Sequence, residues 1–109
     1  MKLPRKNVYI NPQKVKDYLL NINHPDGGPK AKLLLNLGFS ASDASLLENA
    51  IVDHATSNDV SAVITTPFGE KYLIEGPIET PARKILKIRS VWVKELNGEL
   101  IKFVTLYPI

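Results

Sequence analysis

The chain has 109 residues, 44% of them hydrophobic and none of them cysteine, which suits one domain over residues 1–109 and excludes disulfides, thiolate zinc sites and thiol nucleophiles. Fourteen Lys and Arg against eleven Asp and Glu give a formal charge of +3 and a pI near 9.2, a balance that permits an RNA partner without requiring one. No apolar run approaches the ~20 residues of a bilayer span, and the basic start, Met1 to Lys6, is not followed by the apolar stretch of a signal peptide, so the expectation is a soluble, cytoplasmic protein with no membrane partner.

Asn11-Pro12 reads as a cap followed by proline in the first helical position, which predicts a short helix over 12–20 with Val15, Tyr18 and Leu19 as its buried stripe. A second helix begins near Pro29, carries Ala31, Leu34, Leu35 and Leu37, and stops at Gly38, the residue able to take the left-handed conformation there. Ser40, Ser42 and Asp43 supply capping chemistry for a third helix over 43–56, in which Ala44, Leu47, Ala50, Ile51 and His54 recur at helical spacing. After Asn58-Asp59 the period becomes alternating. Strands are predicted over 60–66 and 70–75, then a proline-bearing connection over 76–82, a long strand over 83–94, a turn at Asn97-Gly98 and a last strand over 99–107. The fold class that results is α+β, three N-terminal helices packed on a four-stranded antiparallel sheet.

Asn97-Gly98 as a two-residue loop also fixes a register: Trp92 opposes Phe103, Ser90 opposes Thr105 and Ile88 opposes Tyr107. One face then carries Leu86, Ile88, Trp92, Ile101 and Phe103 and belongs under the helices. The other carries Lys87, Arg89, Val91, Val93, Lys102, Val104 and Leu106, a half-apolar, cationic surface that suits either a nucleic acid or a protein partner. This register puts Thr105 and Tyr107 on the core face.

The run Tyr18-Leu19-Leu20-Asn21, His24-Pro25, Gly27-Gly28, Lys30-Ala31 and Leu37-Gly38-Phe39 continues with Gly69-Glu70-Lys71-Tyr72, Gly76-Pro77, Arg89-Ser90-Val91-Trp92-Val93 and Val104-Thr105-Leu106-Tyr107-Pro108. Together these motifs resemble a small bacterial domain family of unknown function, over nearly the whole chain. Members occur as short free-standing proteins and as terminal domains of larger bacterial and phage-associated proteins, some in toxin-like settings. Their helices-then-sheet layout is similar to the barnase, EndoU, colicin and RelE group of ribonucleases, and the resemblance implies a toxin-like, metal-independent endoribonuclease with a cognate antitoxin or immunity-type partner.

Cleavage of that kind needs a base for the 2′-hydroxyl, an acid for the leaving oxygen, and cations or hydrogen-bond donors for the charge gathering on the phosphate. His24 is the natural proton carrier, with an ordinary pKa near ~6.5. Lys30, in the first turn of the second helix where a cation opposes the helix dipole, can hold the phosphate, or act as the acid if burial lowers its pKa. Arg89 offers a bidentate fork, and Thr105 and Tyr107 hydroxyl donors. Lys71, Lys87 and Lys102 are the candidate RNA-binding lysines. The plainer roles stand beside these: a turn cap for His24, a solvated lysine for Lys30, a helix-face position for His54 and the core for Trp92. No cofactor is called for, and the two histidines lack metal-binding spacing. The competing reading is a non-enzymatic module whose mixed sheet face docks a protein partner, and the two separate on whether His24, Lys30 and Arg89 converge.

Overall fold

The computed structural model describes residues 1–109. Asn11 is extended and accepts a hydrogen bond from the Gln13 N–H at 3.0 Å, so α1 (Pro12–Lys14) starts at the expected cap. It widens at once into a π-helical turn, Val15–Leu19, closed by the Leu20 N–H on the Val15 carbonyl at 2.9 Å. The wider turn keeps Val15 and Leu19 fully buried but leaves Tyr18 only half-buried at the rim. In α2 (Gly28–Asn36) the stop is the expected one: Gly38 has φ +99°, and the Phe39 N–H bonds back to the Leu34 carbonyl at 3.2 Å. α3 (Ala44–Ser57) follows a 3-10 turn, Ala41–Asp43, and buries Ala44, Leu47, Ile51, His54 and Ala55. Ser40 and Ser42 bond each other at 3.0 Å and make no cap to the helix backbone.

β2 (Val60–Thr66), β3 (Gly69–Glu79), β4 (Ile85–Glu95) and β5 (Ile101–Pro108) form the antiparallel meander. The four-stranded antiparallel expectation requires one correction. A fifth strand, β1 (Val8–Tyr9), pairs parallel to β5, giving a mixed sheet in the order β1-β5-β4-β3-β2. Two residues are too short to show an alternating period, and the strand is placed by distant contacts such as the Asn7 amide on the Glu99 carbonyl at 3.1 Å. The residues before it reach the opposite edge of the sheet: the Val60 N–H bonds the Met1 carbonyl at 2.6 Å and the Met1 ammonium meets Asp59 at 3.3 Å. β3 also runs on through Gly76-Pro77, expected as a connection. Its pairing with β2 ends at Ile74, so Pro77 sits where one side of the strand is an edge and no ladder hydrogen bond is lost there.

The helices cover the sheet face that carries Tyr72, Ile74, Ile78, Ile88, Trp92, Ile101, Phe103 and Leu106. Trp92 and Phe103 are paired as expected and meet edge to face at 5.3 Å. A polar chain runs through this core. The Trp92 indole N–H donates to the Ser90 hydroxyl at 2.9 Å, and that hydroxyl lies 2.9 Å from His54 Nε2. His54 Nδ1 is 3.2 Å from the Pro77 carbonyl, which can only accept, so Nδ1 carries the proton and Nε2 accepts from Ser90. Burial holds the His54 pKa below its ordinary 6.5, against the opposing pull of its backbone contacts. His54 is thus a neutral core residue that ties α3 to β3 and β4.

The register changes at one place that decides the site. Trp92 opposes Phe103, but Val91 opposes Thr105, Ser90 opposes Leu106 and Arg89 opposes Tyr107. Val104 is the extra residue of a β-bulge. It restores alternation one residue later than expected, sending Leu106 into the core and bringing Thr105 and Tyr107 out to the face of Val91 and Arg89.

Candidate functional site

The segment between the π-helical turn and α2 folds back tightly. A Cβ on Gly27 would overlap the Tyr18 carbonyl and ring, and one on Gly28 would lie 2.7 Å from the Ile22 carbonyl, so both positions need glycine for space rather than for an unusual φ. The turn is fastened by His24, whose Nδ1 accepts the Asp26 and Gly27 N–H groups, each at 3.0 Å. Nδ1 is therefore unprotonated and neutral His24 presents Nε2–H outward. Its ring stands edge-on to Tyr18 at 4.9 Å.

That packing aims the first turn of α2 over Tyr18. Lys30 Nζ donates to the Tyr18 hydroxyl at 2.7 Å and to Thr105 Oγ1 at 3.0 Å, and the two hydroxyls are 2.8 Å apart. Three groups from the first and last parts of the chain thus close a triangle beside β5, where pairing with β1 has already ended. Lys30 has no carboxylate partner and one N–H in hand. A second cation, Lys14, lies 5.6 Å from the Tyr18 ring. Burial raises the Tyr18 pKa, but its hydrogen bonds with Lys30 and Thr105 and the charges of Lys30 and Lys14 outweigh it, so the phenol ionises below the ordinary 10.0.

The next pair along the same face is Arg89 and Tyr107. The guanidinium donates to Glu75 at 2.8 Å and to the Tyr107 hydroxyl at 3.3 Å, and lies 5.6 Å from that ring. Tyr107 and then Glu75 stabilise its charge and push its pKa up. Thr105 and Tyr107 are two residues apart on β5, about 7 Å, so the Lys30 triangle and the Arg89 pair are neighbours on one open surface. Of the three lysines expected at RNA, Lys71 and Lys102 both oppose Val93 and lie across one row of the sheet, while Lys87 lies opposite Pro77 on the far side of Arg89. Lys102 also sits 3.6 Å from Glu95. Between these cations lie Val91, Leu73, Val93 and Ile64, which keep the face half apolar.

Sequence reasoning placed Tyr18 in the buried stripe, because an α-helix would put it beside Val15 and Leu19; the π-helical turn moves it to the site. A concavity of about 640 Å³ lies elsewhere, between α3 and the β3–β4 connection. Leu46, Asp53, Glu79 and Ile85 line it, none of the candidate catalytic or RNA-binding residues does, and its carboxylates disfavour a polyanion.

Residues 2–109 match the family model described as "Domain of unknown function (DUF6883)". A search of the curated proteins found no match. Among solved structures, the chain is similar to a chain of a "Contact-dependent growth inhibition toxin - immunity protein complex from Klebsiella pneumoniae 342", with TM-score 0.72 and 16% identity, covering 92% of this chain and 98% of that one. At that identity the likeness is one of fold.

Proposed function

The chain belongs to the DUF6883 family, and we propose that it is a toxin-like, metal-independent endoribonuclease domain whose site is the open sheet face around Lys30, Thr105 and Arg89. The observation that carries this reading is the convergence of a half-buried, carboxylate-free ammonium with two hydroxyls from distant parts of the chain, next to a guanidinium on an open cationic surface. A cation held without a counter-ion is an anion site in waiting, and an open face rather than a closed pocket suits a polymer. Lys30 holds the scissile phosphate with Thr105, and His24 adds an Nε2–H donor from the adjoining turn. Arg89, with Tyr107, holds a neighbouring phosphate in exchange for part of its contact with Glu75. Lys71, Lys87 and Lys102 extend the track along the strand backbone of the RNA. The 2′-hydroxyl oxygen attacks phosphorus, the P–O5′ bond breaks, and a 2′,3′-cyclic phosphate remains.

A cognate antitoxin or immunity-type protein is the expected second partner. The fold shared with a chain of a toxin–immunity complex supports it, and the same face, with Leu73, Val93 and Ile64 among its cations, offers the apolar patch such a partner would cover. If this face serves docking alone, the domain is a binding module.

The test is incubation of the purified protein with total RNA and tRNA in EDTA, beside the His24→Ala, Lys30→Ala and Arg89→Ala variants. Cleavage leaving cyclic phosphate ends is expected from the parent, with Lys30→Ala about 10²–10³-fold slower, as for loss of one charge-stabilising donor, and with an unchanged melting curve. Intact RNA in every lane, or full activity in a folded Lys30→Ala protein, would overturn the assignment.

A further inference from the structure

We infer that Tyr18 is the general acid of this site, delivering its phenolic proton to the 5′ oxygen as the P–O5′ bond breaks; the inference rests on the ribonuclease reading above. Three geometric facts point to it. The Tyr18 oxygen is the shared corner of the triangle, 2.7 Å from the Lys30 ammonium and 2.8 Å from the Thr105 hydroxyl, so a phosphate held by those two groups brings its oxygens to the phenol. The ammonium donates to the phenolic oxygen and the Thr105 hydroxyl donates to the Leu106 carbonyl at 3.4 Å, so the phenolic hydrogen lies toward Thr105 Oγ1, on the side where a phosphate held by Lys30 and Thr105 would take it. His24, the other proton carrier nearby, has Nδ1 committed to two backbone N–H groups, and becoming a base through Nε2 would require moving its proton to Nδ1 and breaking both.

The step balances without a co-reactant. The 2′-hydroxyl oxygen forms its bond to phosphorus and its proton passes to water. The P–O5′ bonding pair goes to the leaving oxygen, which takes the phenolic proton. The O–H pair stays on Tyr18 as phenolate, stabilised by Lys30 and by the Thr105 hydroxyl turning to donate to it, and water reprotonates it for the next turnover. Thr105 acts through Tyr18 here and is a positioning residue in this step.

An acid is needed only when the leaving oxygen is a poor leaving group, and this gives a test that a structural role would not pass. The parent, Tyr18→Phe and Thr105→Val proteins are assayed on a short RNA and on a ribonucleoside 3′-(4-nitrophenyl phosphate), whose nitrophenolate departs without protonation. Tyr18→Phe is expected to lose about 10²–10⁴-fold in kcat on RNA and less than about threefold on the nitrophenyl ester. The parent should also show tyrosinate absorbance at 295 nm at a lower pH than Tyr18→Phe does. Equal losses on both substrates, or full RNA cleavage by a folded Tyr18→Phe protein, would overturn the inference while leaving the ribonuclease reading in place. An inert parent would overturn both.

Discussion

Replacing Ser90 with alanine tests the core on which the site is built. In the parent, one hydroxyl accepts from Trp92 and donates to His54, both at 2.9 Å, and no buried side-chain polar atom lacks a partner. Alanine leaves a fully buried indole N–H without an acceptor and His54 Nε2 without a donor. Each orphaned group costs about 1–3 kcal/mol, so the sum is about 2–6 kcal/mol, or roughly 8–24 °C in Tm for a domain of this size. Thermal melts followed by circular dichroism at pH 7.5 would measure it. A second arm varies pH. His54 has a folded pKa below its ordinary 6.5, so the stability of its neutral form is fully present above pH 6.5. As pH falls below that value the unfolded chain takes up the proton first, and stability declines by up to ~1.4 kcal/mol per pH unit until folded His54 protonates too. His54→Gln should flatten that decline between pH 6.5 and 5. A Ser90→Ala protein melting within 2 °C of the parent, or a parent equally stable at pH 7 and pH 5, would refute this account.

The bulge makes a second prediction. Deleting Val104 should leave a regular strand with Thr105 and Tyr107 still facing outward, Leu106 still buried and a cooperative melt within about 2 kcal/mol of the parent, whereas deleting Val104 and Thr105 together should turn Leu106 out of the core and cost about 2–5 kcal/mol; comparative melts of the two deletions decide it. For the RNA face, changing Lys71, Lys87 and Lys102 together to glutamine should lower the slope of log K against log salt by about 2 on single-stranded RNA, at ~0.7 per phosphate contact. Filter binding at a series of salt concentrations reads that slope directly, and an unchanged slope would remove these lysines from the interface.

What the sequence made legible follows from period and spacing. β2 has the predicted bounds because the change from helical to alternating pattern at Val60 is sharp, and the pairs Trp92–Phe103 and Lys94–Ile101 follow from centring the hairpin on Asn97-Gly98, although Gly98 lacks the positive φ of a tight two-residue hairpin. Lys30 drew notice because a cation in a first helical turn is out of place by the dipole. The rest depends on geometry that residue types do not encode locally. Nothing in Phe103-Val104-Thr105-Leu106-Tyr107 says which residue is surplus, and only the competing demands of Leu106 for the core and Thr105 for Lys30 choose Val104. Tyr18 fits an α-helical stripe as well as a π-helical rim. β1 has no period at all, and its pairing is settled by residues almost a chain length away.

The distance in sequence between the parts of the triangle sets when it can exist. Lys30 and Thr105 are 75 positions apart, and β5, which carries Thr105, also receives β1 from the other end of the chain. A polypeptide still being synthesised holds Tyr18, His24 and Lys30 early but has no Thr105, Tyr107 or fifth strand to receive them. Such long-range pairing is also slow to form. The Tyr18–Lys30–Thr105 triangle therefore assembles only after β5 has been made and paired, so it is among the last parts of the domain to form.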